Sequence, residues 1–145
     1  MLSNTSRYAI RALLYLAINT RDGKMTGIKK IASDLDIPSP FLGKILQTLS
    51  KHKILLSTKG PNGGFAASQT TMNTSLMDII KIIDGDDLFY RCLITNRKCP
   101  DNSDKTCALH HHYEEIRKKL NDLFSADTIG SLTREYINSG VKPVI

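Results

Sequence analysis

Three cysteines and three of the chain's four histidines fall between Cys92 and His112, in the run CLITNRKCPDNSDKTCALHHH. Six residues separate Cys92 from Cys99, seven separate Cys99 from Cys107, and two separate Cys107 from His110. Thiolate and imidazole are soft donors, and three of the first with one of the second make a four-ligand set for zinc or an iron–sulfur centre. Cys107 stands just before an expected helix and His110 in its first turn. There the helix dipole and free N–H groups favour thiolate over thiol. Arg91, Arg97, Lys98 and Lys105 add positive potential nearby. No Cys-x-x-Cys knuckle is present, which points away from a zinc finger. His111 and His112 are alternative donors, but the spacing favours His110. The plain alternative is that the cysteines are incidental. Free cysteines are usually buried rather than grouped in a polar loop, which weighs against it.

Such a loop needs a chain to carry it, and 145 residues is a one-domain length with room for a core. No apolar run approaches the length of a membrane-spanning helix. The opening MLSNTSRYAIRALLYLA is broken by Arg11 and has no small-residue cleavage site after it, so it reads as an amphipathic helix. The expected location is therefore cytoplasmic, where an odd number of clustered thiols points to ligands or sensors rather than disulfides. Charge is unevenly placed. Residues 1–65 hold ten Lys/Arg against three Asp/Glu, whereas residues 66–145 hold ten against eleven. A basic N-terminal half suits a polyanion, most simply nucleic acid, although a solvated basic surface would have the same composition.

Apolar periodicity divides the chain into helices. Ile10, Leu13, Leu14, Ala17 and Ile18 form one stripe on a helix from about Thr5 to Thr20. Thr26 is expected to cap a short helix whose stripe is Ile28, Ile31, Ala32 and Leu35. Asp36-Ile37-Pro38 makes a turn, and Ser39 reads as the N-cap of a third helix with Pro40 at its first position. That helix, to about His52, buries Leu42, Ile45, Leu46 and Leu49. It leaves Ser39, Phe41, Gly43, Lys44, Gln47, Thr48 and Lys51 outward. Two short helices with a tight turn make a helix-turn-helix, and the small, polar and basic outward face of the second suits a major groove.

The next segment, from Ile54 to Ala67, reads as strand, turn and strand, with Asn62-Gly63-Gly64 supplying left-handed positions. A hairpin here would be a wing, with Lys59 near its tip and the N–H groups of Gly63 and Gly64 open to phosphate. No helix follows these glycines directly and no Gly-Lys-Ser/Thr is present, which excludes a nucleotide-binding P-loop. Ser75 and Asp78 mark the start of another helix, with Leu76, Ile79, Ile80 and Ile83 as its stripe and Gly85 as its end. Residues 86–107 read as loop. Leu109, Tyr113, Ile116, Leu120 and Leu123 then form a heptad seam on a helix from about Ala108 to Phe124. A short helix from about Thr128 to Ile137 and a loose tail close the chain.

With these pieces in hand, the chain resembles the bacterial winged-helix repressors that include IscR, NsrR and CymR. The resemblance is carried by SRYAIRALLYLA, IASDLDIPSPFLGKILQTLSKHKIL, STKGPNGGFAAS, SLMDIIKIIDG and the Cys/His loop. It implies a homodimer paired through the helix at about 108–124, with two winged domains on successive major grooves of a palindromic operator in double-stranded DNA. It also implies three loop cysteines as cluster ligands. IscR-like members add a histidine two residues past the third cysteine, which His110 matches. NsrR-like members use an Asp near the start of the first helix, where this chain has Thr5-Ser6-Arg7-Tyr8. The implied cofactor is a [2Fe–2S] centre on Cys92, Cys99, Cys107 and His110. [4Fe–4S], zinc and no metal remain open, because the cysteine spacings exceed the five-and-five usual in the family. Gly43 stands where IscR-like members carry a Glu, and Lys59 where a minor-groove Arg is common.

The expected fold is mainly α: a winged helix-turn-helix with a small β-hairpin wing and a long C-terminal dimerisation helix. Residues 1–85 are expected to bind DNA, 86–107 to form the sensor loop and 108–145 to pair two chains. The expected DNA-facing residues are Arg7, Lys29, Ser39, Pro40, Gly43, Lys44, Gln47, Lys51, Lys59, Gly60, Gly63 and Gly64. His52 is expected beside phosphate or as a helix end. The expected function is a DNA-binding transcription regulator, a repressor in sign and not an enzyme, that senses cluster, redox or nitric oxide status. The alternatives are a zinc- or thiol-based regulator, and a small redox protein with no DNA role.

Overall fold

The computed structural model describes residues 2–20, 23–85, 89, 91–92, 94, 97 and 109–140. Helix α1, Asn4–Asn19, is the central strut. Its stripe buries Ala9, Ala12, Leu13 and Leu16 completely, and packing of this kind, more than propensity, holds a helix in place. The Ser3 hydroxyl caps α1 by accepting from the Ser6 N–H at 3.0 Å. The Asp84 carboxylate then reaches across from a distant part of the chain. It accepts from the Ser3 hydroxyl at 2.5 Å, the Ser6 hydroxyl at 2.8 Å and the Ser3 N–H at 3.3 Å. A carboxylate at a helix N-terminus also meets the positive end of the dipole.

Helices α2, Ile28–Leu35, and α3, Ser39–Lys51, pack on α1 and on each other. Asp36 turns the chain between them in the left-handed conformation (φ 52°). Leu42, Ile45, Leu46 and Leu49 are buried, as the spacing predicts. Strands β1, Leu55–Thr58, and β2, Gly64–Ala67, pair antiparallel, with Leu55 opposite Ala67 and Thr58 opposite Gly64. Short α4, Gln69–Asn73, follows and leads to α5, Leu76–Asp84. Further along the chain come α6, Leu109–Ala126, and α7, Ile129–Ser139. The mainly helical architecture with one small antiparallel hairpin is the expected winged helix-turn-helix.

Several boundaries differ from the sequence reading. Thr26 does not cap α2. Its backbone pairs with Phe65 through two hydrogen bonds of 2.9 Å, adding a third edge to the hairpin, and Gly27 takes the N-cap position. Ser39 is inside α3 rather than its cap; the cap position belongs to Pro38, whose carbonyl accepts from the Phe41 and Leu42 N–H groups at 3.0 Å. Helix α4 was not expected, although its Ser68 and Thr71 cap each other reciprocally. Helix α7 runs on to Ser139, and Gly140 ends it in the left-handed conformation. The loop expectation for 86–107 falls mostly outside the described residues.

The wing glycines act differently from the simple turn rule. Gly60 (φ 110°) and Gly64 (φ 153°) are left-handed, but Gly63 is not. Gly63 is needed for close approach instead, since a Cβ there would stand 2.1 Å from the Thr58 carbonyl oxygen. At Gly64 a Cβ would stand 2.3 Å from the Thr26 carbonyl oxygen. Both the φ and the contact oppose a side chain. Gly64→Ala is therefore expected to lower stability by about 2 kcal/mol or more, read from the denaturant midpoint at unchanged slope.

Two elbows of the chain are pinned together. The Leu76 N–H donates to the Asp127 carbonyl at 2.9 Å, and the Ile129 N–H donates to the Thr74 carbonyl at 3.0 Å. The corner between α6 and α7 is thereby tied to the corner between α4 and α5. Motion of α6 has a backbone route into the body that carries the wing.

Candidate nucleic-acid interface and sensor loop

A groove of about 770 Å³ runs between the start of α2, the C-terminal half of α3 and the hairpin. Lys29, Gln47, Lys51, Lys59, Gly60, Gly63 and Gly64 all line it. Seven of the expected DNA-facing residues, from three separate elements, thus share one concave surface. The other five do not line it. Ser39, Pro40, Gly43 and Lys44 lie along the N-terminal half of α3, and Arg7 is exposed on α1. Ser39, Gly43, Gln47 and Lys51 recur every four residues, so they share one face of α3 that runs into the groove. A Cβ at Gly43 would meet nothing within 4 Å, which leaves that face low and open.

The reasons for this arrangement are local. The reciprocal pairing of Thr26 with Phe65 brings the start of α2 beside β2. The Ser50 hydroxyl donates to the Leu55 carbonyl at 3.4 Å and lies 2.7 Å from the Ser57 hydroxyl, which ties the end of α3 to β1. Helix α2 has no side-chain cap at Gly27, and Gly27, Ile28 and Lys29 line the groove, which brings the positive end of the α2 dipole to that surface. Sequence reading missed this contribution. The signal was available: a glycine, with no capping side chain, directly before an amphipathic helix.

Lysines on α2 divide their work. Lys30 pairs with Asp34 at 2.9 Å, while Lys29 lines the groove. Asp34 also accepts from the Tyr15 hydroxyl at 2.5 Å. Burial, and then the hydrogen bond and charge of Asp34, push the Tyr15 phenol up to about 12. The Asp34 carboxyl is held below its usual range by the Tyr15 hydrogen bond first and by Lys30 second. The Arg11 guanidinium donates to the Leu35 carbonyl at 2.8 Å. Both contacts fix α2 on α1, and the groove's geometry follows from them. His52 is exposed at the end of α3 and does not line the groove.

Two of the four expected metal ligands are described. Cys92 is half-buried, and its N–H donates to the Arg97 carbonyl at 2.8 Å. His110 is half-buried in the first turn of α6. Cys99 and Cys107 lie outside the described residues. Among the described residues, no three His, Cys, Asp or Glu side chains gather into a metal-binding group. One turn along α6, Arg117 hydrogen-bonds Glu114. That bond holds the Glu114 carboxyl below its usual range, with desolvation opposing it and the charges of Arg117 and His110 assisting to a smaller extent. Phe89 meets Phe124 with ring centres 5.8 Å apart, so the start of the loop leans on α6.

On α6 itself, Leu109, Ile116 and Leu123 recur every seven residues and are 42%, 56% and 52% exposed. Tyr113 and Leu120 between them are half-buried. A single chain therefore leaves an apolar stripe along α6 facing outward. No helix among the described residues is long and apolar enough to cross a membrane.

Comparison with known proteins places these features. Residues 2–135 match the family described as "Rrf2: Iron-dependent Transcriptional regulator". A chain of Aquifex aeolicus (strain VF5), classed by name with helix-turn-helix-type transcriptional regulators, is 38% identical over 130 residues, 90% of this chain and 89% of that one. The transcriptional regulator IscR of Klebsiella pneumoniae (strain 342) is 24% identical over 131 residues, 90% of this chain and 78% of that one. Among solved structures, CymR, the global cysteine regulator of B. subtilis, superposes with a TM-score of 0.75 at 18% identity, covering 93% of this chain and 97% of that one. IscR of T. potens gives 0.73 at 15% identity, covering 98% and 92%.

Proposed function

The chain belongs to the Rrf2 family of DNA-binding transcriptional regulators, and on that footing we propose that it grips a palindromic operator as a homodimer, with a metal centre in the 92–110 loop setting the strength of the grip. Its relatives are regulators rather than enzymes. The observation that carries the DNA-contact reading is the groove. Lys29, Lys51 and Lys59 converge there from a helix start, a helix face and a wing tip, beside uncapped N–H groups. Cations and N–H donors on one concave surface suit two successive phosphates, while the open α3 face through Gly43 and Gln47 reads base edges. Arg7, Ser39, Pro40 and Lys44 extend the same contact toward the other end of α3.

The experiment is a titration of duplex DNA across salt concentrations. Two protomers with at least three lysine–phosphate contacts each should give a log–log slope of about −5 or steeper. A slope near zero would remove the phosphate contacts assigned to the groove.

Homodimerisation is supported by the exposed Leu109, Ile116 and Leu123 stripe, whose period of seven suits helix pairing. Paired in this way, the two α3 helices would be presented to major grooves about 34 Å apart. Ile116→Glu would place a charge on the stripe without disturbing the body, since Ile116 is exposed. It is expected to give a folded monomer in sedimentation and to weaken operator binding about tenfold or more, because one half-site is lost.

For the loop, the donor set fits a soft metal centre: three thiols and an imidazole, with His110 at the head of α6. Cys92, Cys99, Cys107 and His110 would hold an iron–sulfur centre, with [2Fe–2S] the form best matched to three cysteines and a histidine. Such a centre, when bound, supplies a group that responds to oxidants and nitric oxide. The chain's own part is mechanical. Phe89 rests on Phe124 of α6, and Asp84, at the entrance to the loop, holds the N-terminus of α1. Strain at the loop therefore reaches both the pairing helix and the central strut. Longer cysteine spacings keep zinc as a second reading, which metal analysis of freshly purified protein separates from iron and sulfide.

A further inference from the structure

Helix α3 has a second outward edge beside the one that runs into the groove. It carries Phe41, Lys44 and Thr48, spaced i, i+3 and i+7. Phe41 is 40% exposed, and it is the one exposed aromatic side chain among the described residues. A single surface phenylalanine is ordinary in itself. This one stands in the first turn of the helix that a helix-turn-helix lays in the major groove, at the end that meets base edges.

The surroundings of Phe41 brace its ring. It meets Tyr8 edge to face, with ring centres 5.8 Å apart and planes at 86°. Tyr8 in turn packs against the core and lies under the Arg11 guanidinium, 5.8 Å from its ring centre. Arg11 is itself held by its bond to the Leu35 carbonyl at 2.8 Å. A braced ring has little rotamer freedom to lose on binding. Cations flank it: Arg7 precedes Tyr8 on α1, and Lys44 follows one turn along α3, both exposed. Their charge matches the phosphates that border a major groove. The Thr48 hydroxyl donates to the Lys44 carbonyl of its own helix at 3.0 Å, so its proton is not offered to a base. What this edge offers to base pairs is chiefly an apolar ring.

We infer that Phe41 is a specificity-determining residue that reads the C5 methyl group of a thymine in each half-site, at the end remote from the wing. A phenyl ring has no conventional donor or acceptor for a base edge, and thymine is the one base whose major-groove edge carries a methyl group. The inference rests on the DNA-binding reading above and deepens it. The groove lysines hold any sequence, whereas Phe41 selects among sequences.

The test uses the full chain and a duplex that it selects from a random library. Each thymine is replaced in turn by deoxyuridine, which keeps the pairing edge and the O4 acceptor and lacks only the methyl. Binding is measured at fixed salt, and the salt slope on the unmodified duplex is measured beside it. One thymine position, common to both half-sites, is expected to respond. Loss of one buried methyl should weaken binding about fourfold, and loss from both half-sites about fifteenfold. Phe41→Ala should bind the thymine and deoxyuridine duplexes within about twofold of each other, with the salt slope unchanged. Because the two duplexes are compared on the same chain, a general loss of affinity in the variant cannot imitate this result. A steep salt slope with no responding thymine overturns the inference and leaves the phosphate contacts standing. So does a Phe41→Ala chain that keeps the full deoxyuridine penalty. A slope near zero would instead remove the DNA contact on which the inference rests, and the inference with it.

Discussion

Replacing Lys29, Lys51 and Lys59 together by alanine is expected to weaken duplex DNA binding at least about a hundredfold near 100 mM salt. All three are exposed and line one groove. Among the described residues none of them is paired with a carboxylate, whereas the neighbouring Lys30 is committed to Asp34. Their removal should therefore cost little stability and should act on DNA alone. Two further signatures distinguish this outcome from general damage. The log–log salt slope should become shallower by about five for a dimer, since six counterion-releasing contacts are lost. Affinity should also fall by a similar factor on every DNA sequence, because phosphate contacts carry no sequence information. Thermal melting and the dimer–monomer balance should remain as in the unaltered chain. A variant that loses affinity with an unchanged slope would mean that the groove faces something other than the backbone phosphates.

Cys92→Ser is expected to have the second large effect. After anaerobic reconstitution with iron and sulfide, the unaltered chain should develop visible absorption and hold iron and sulfide in equal amounts. The Cys92→Ser chain should stay colourless or lose its centre within minutes, as removal of one thiolate ligand leaves an open metal position. The consequence for DNA should follow. If the loop's cargo shifts the α6 pairing, the two states of the unaltered chain differ in DNA affinity by about 5- to 150-fold, the usual span of a coupling between two sites. The serine variant should show a single affinity whatever the treatment. Cys92 is the informative choice, because its backbone is held by the N–H bond to the Arg97 carbonyl. His110→Ala makes a graded companion. It removes the ligand that distinguishes a Cys3His centre, and it should destabilise the centre without preventing its assembly.

Much of this fold is written in short-range pattern. The stripes Leu13, Leu14 and Ala17 on α1, Ile31 and Leu35 on α2, and Leu42, Ile45 and Leu49 on α3 are all buried. The Ser75–Asp78 box starts α5, and Gly85 ends it. Periodicity reads these because one face of each helix meets the core. Contacts between distant residues were not legible. Nothing in the run SLMDIIKIID says that its last residue will cap α1 through Ser3 and Ser6, eighty residues away. Thr26 illustrates a conflict of local and long-range rules. As a threonine before an amphipathic run it reads as a cap, yet two backbone bonds to Phe65 claim it for the hairpin. Helix α4 was missed because five residues, Gln69–Asn73, are too few to show a period.

The candidate site followed the same division. Spacing on α3 kept Ser39, Phe41, Gly43, Lys44, Gln47, Thr48 and Lys51 out of the core, and the Gly-rich turn located the hairpin. That Lys29 lies across from Lys51 and Lys59 required the tertiary packing of α2 against β2. The α2 N–H groups were missed because sequence reading attends to side chains, and their contribution comes from the absence of one at Gly27.

The most direct test of the link between the loop and DNA is one comparison of binding isotherms. A DNA duplex selected from a random library by the chain itself would be titrated, anaerobically and at fixed salt, with reconstituted protein and with the same preparation after removal of its metal. Iron and sulfide content would be measured on both samples. The expected result is iron and sulfide bound in the first sample alone, with dissociation constants that differ by about tenfold or more. Equal constants with the centre demonstrably present would contradict the proposal that the loop governs the grip on DNA.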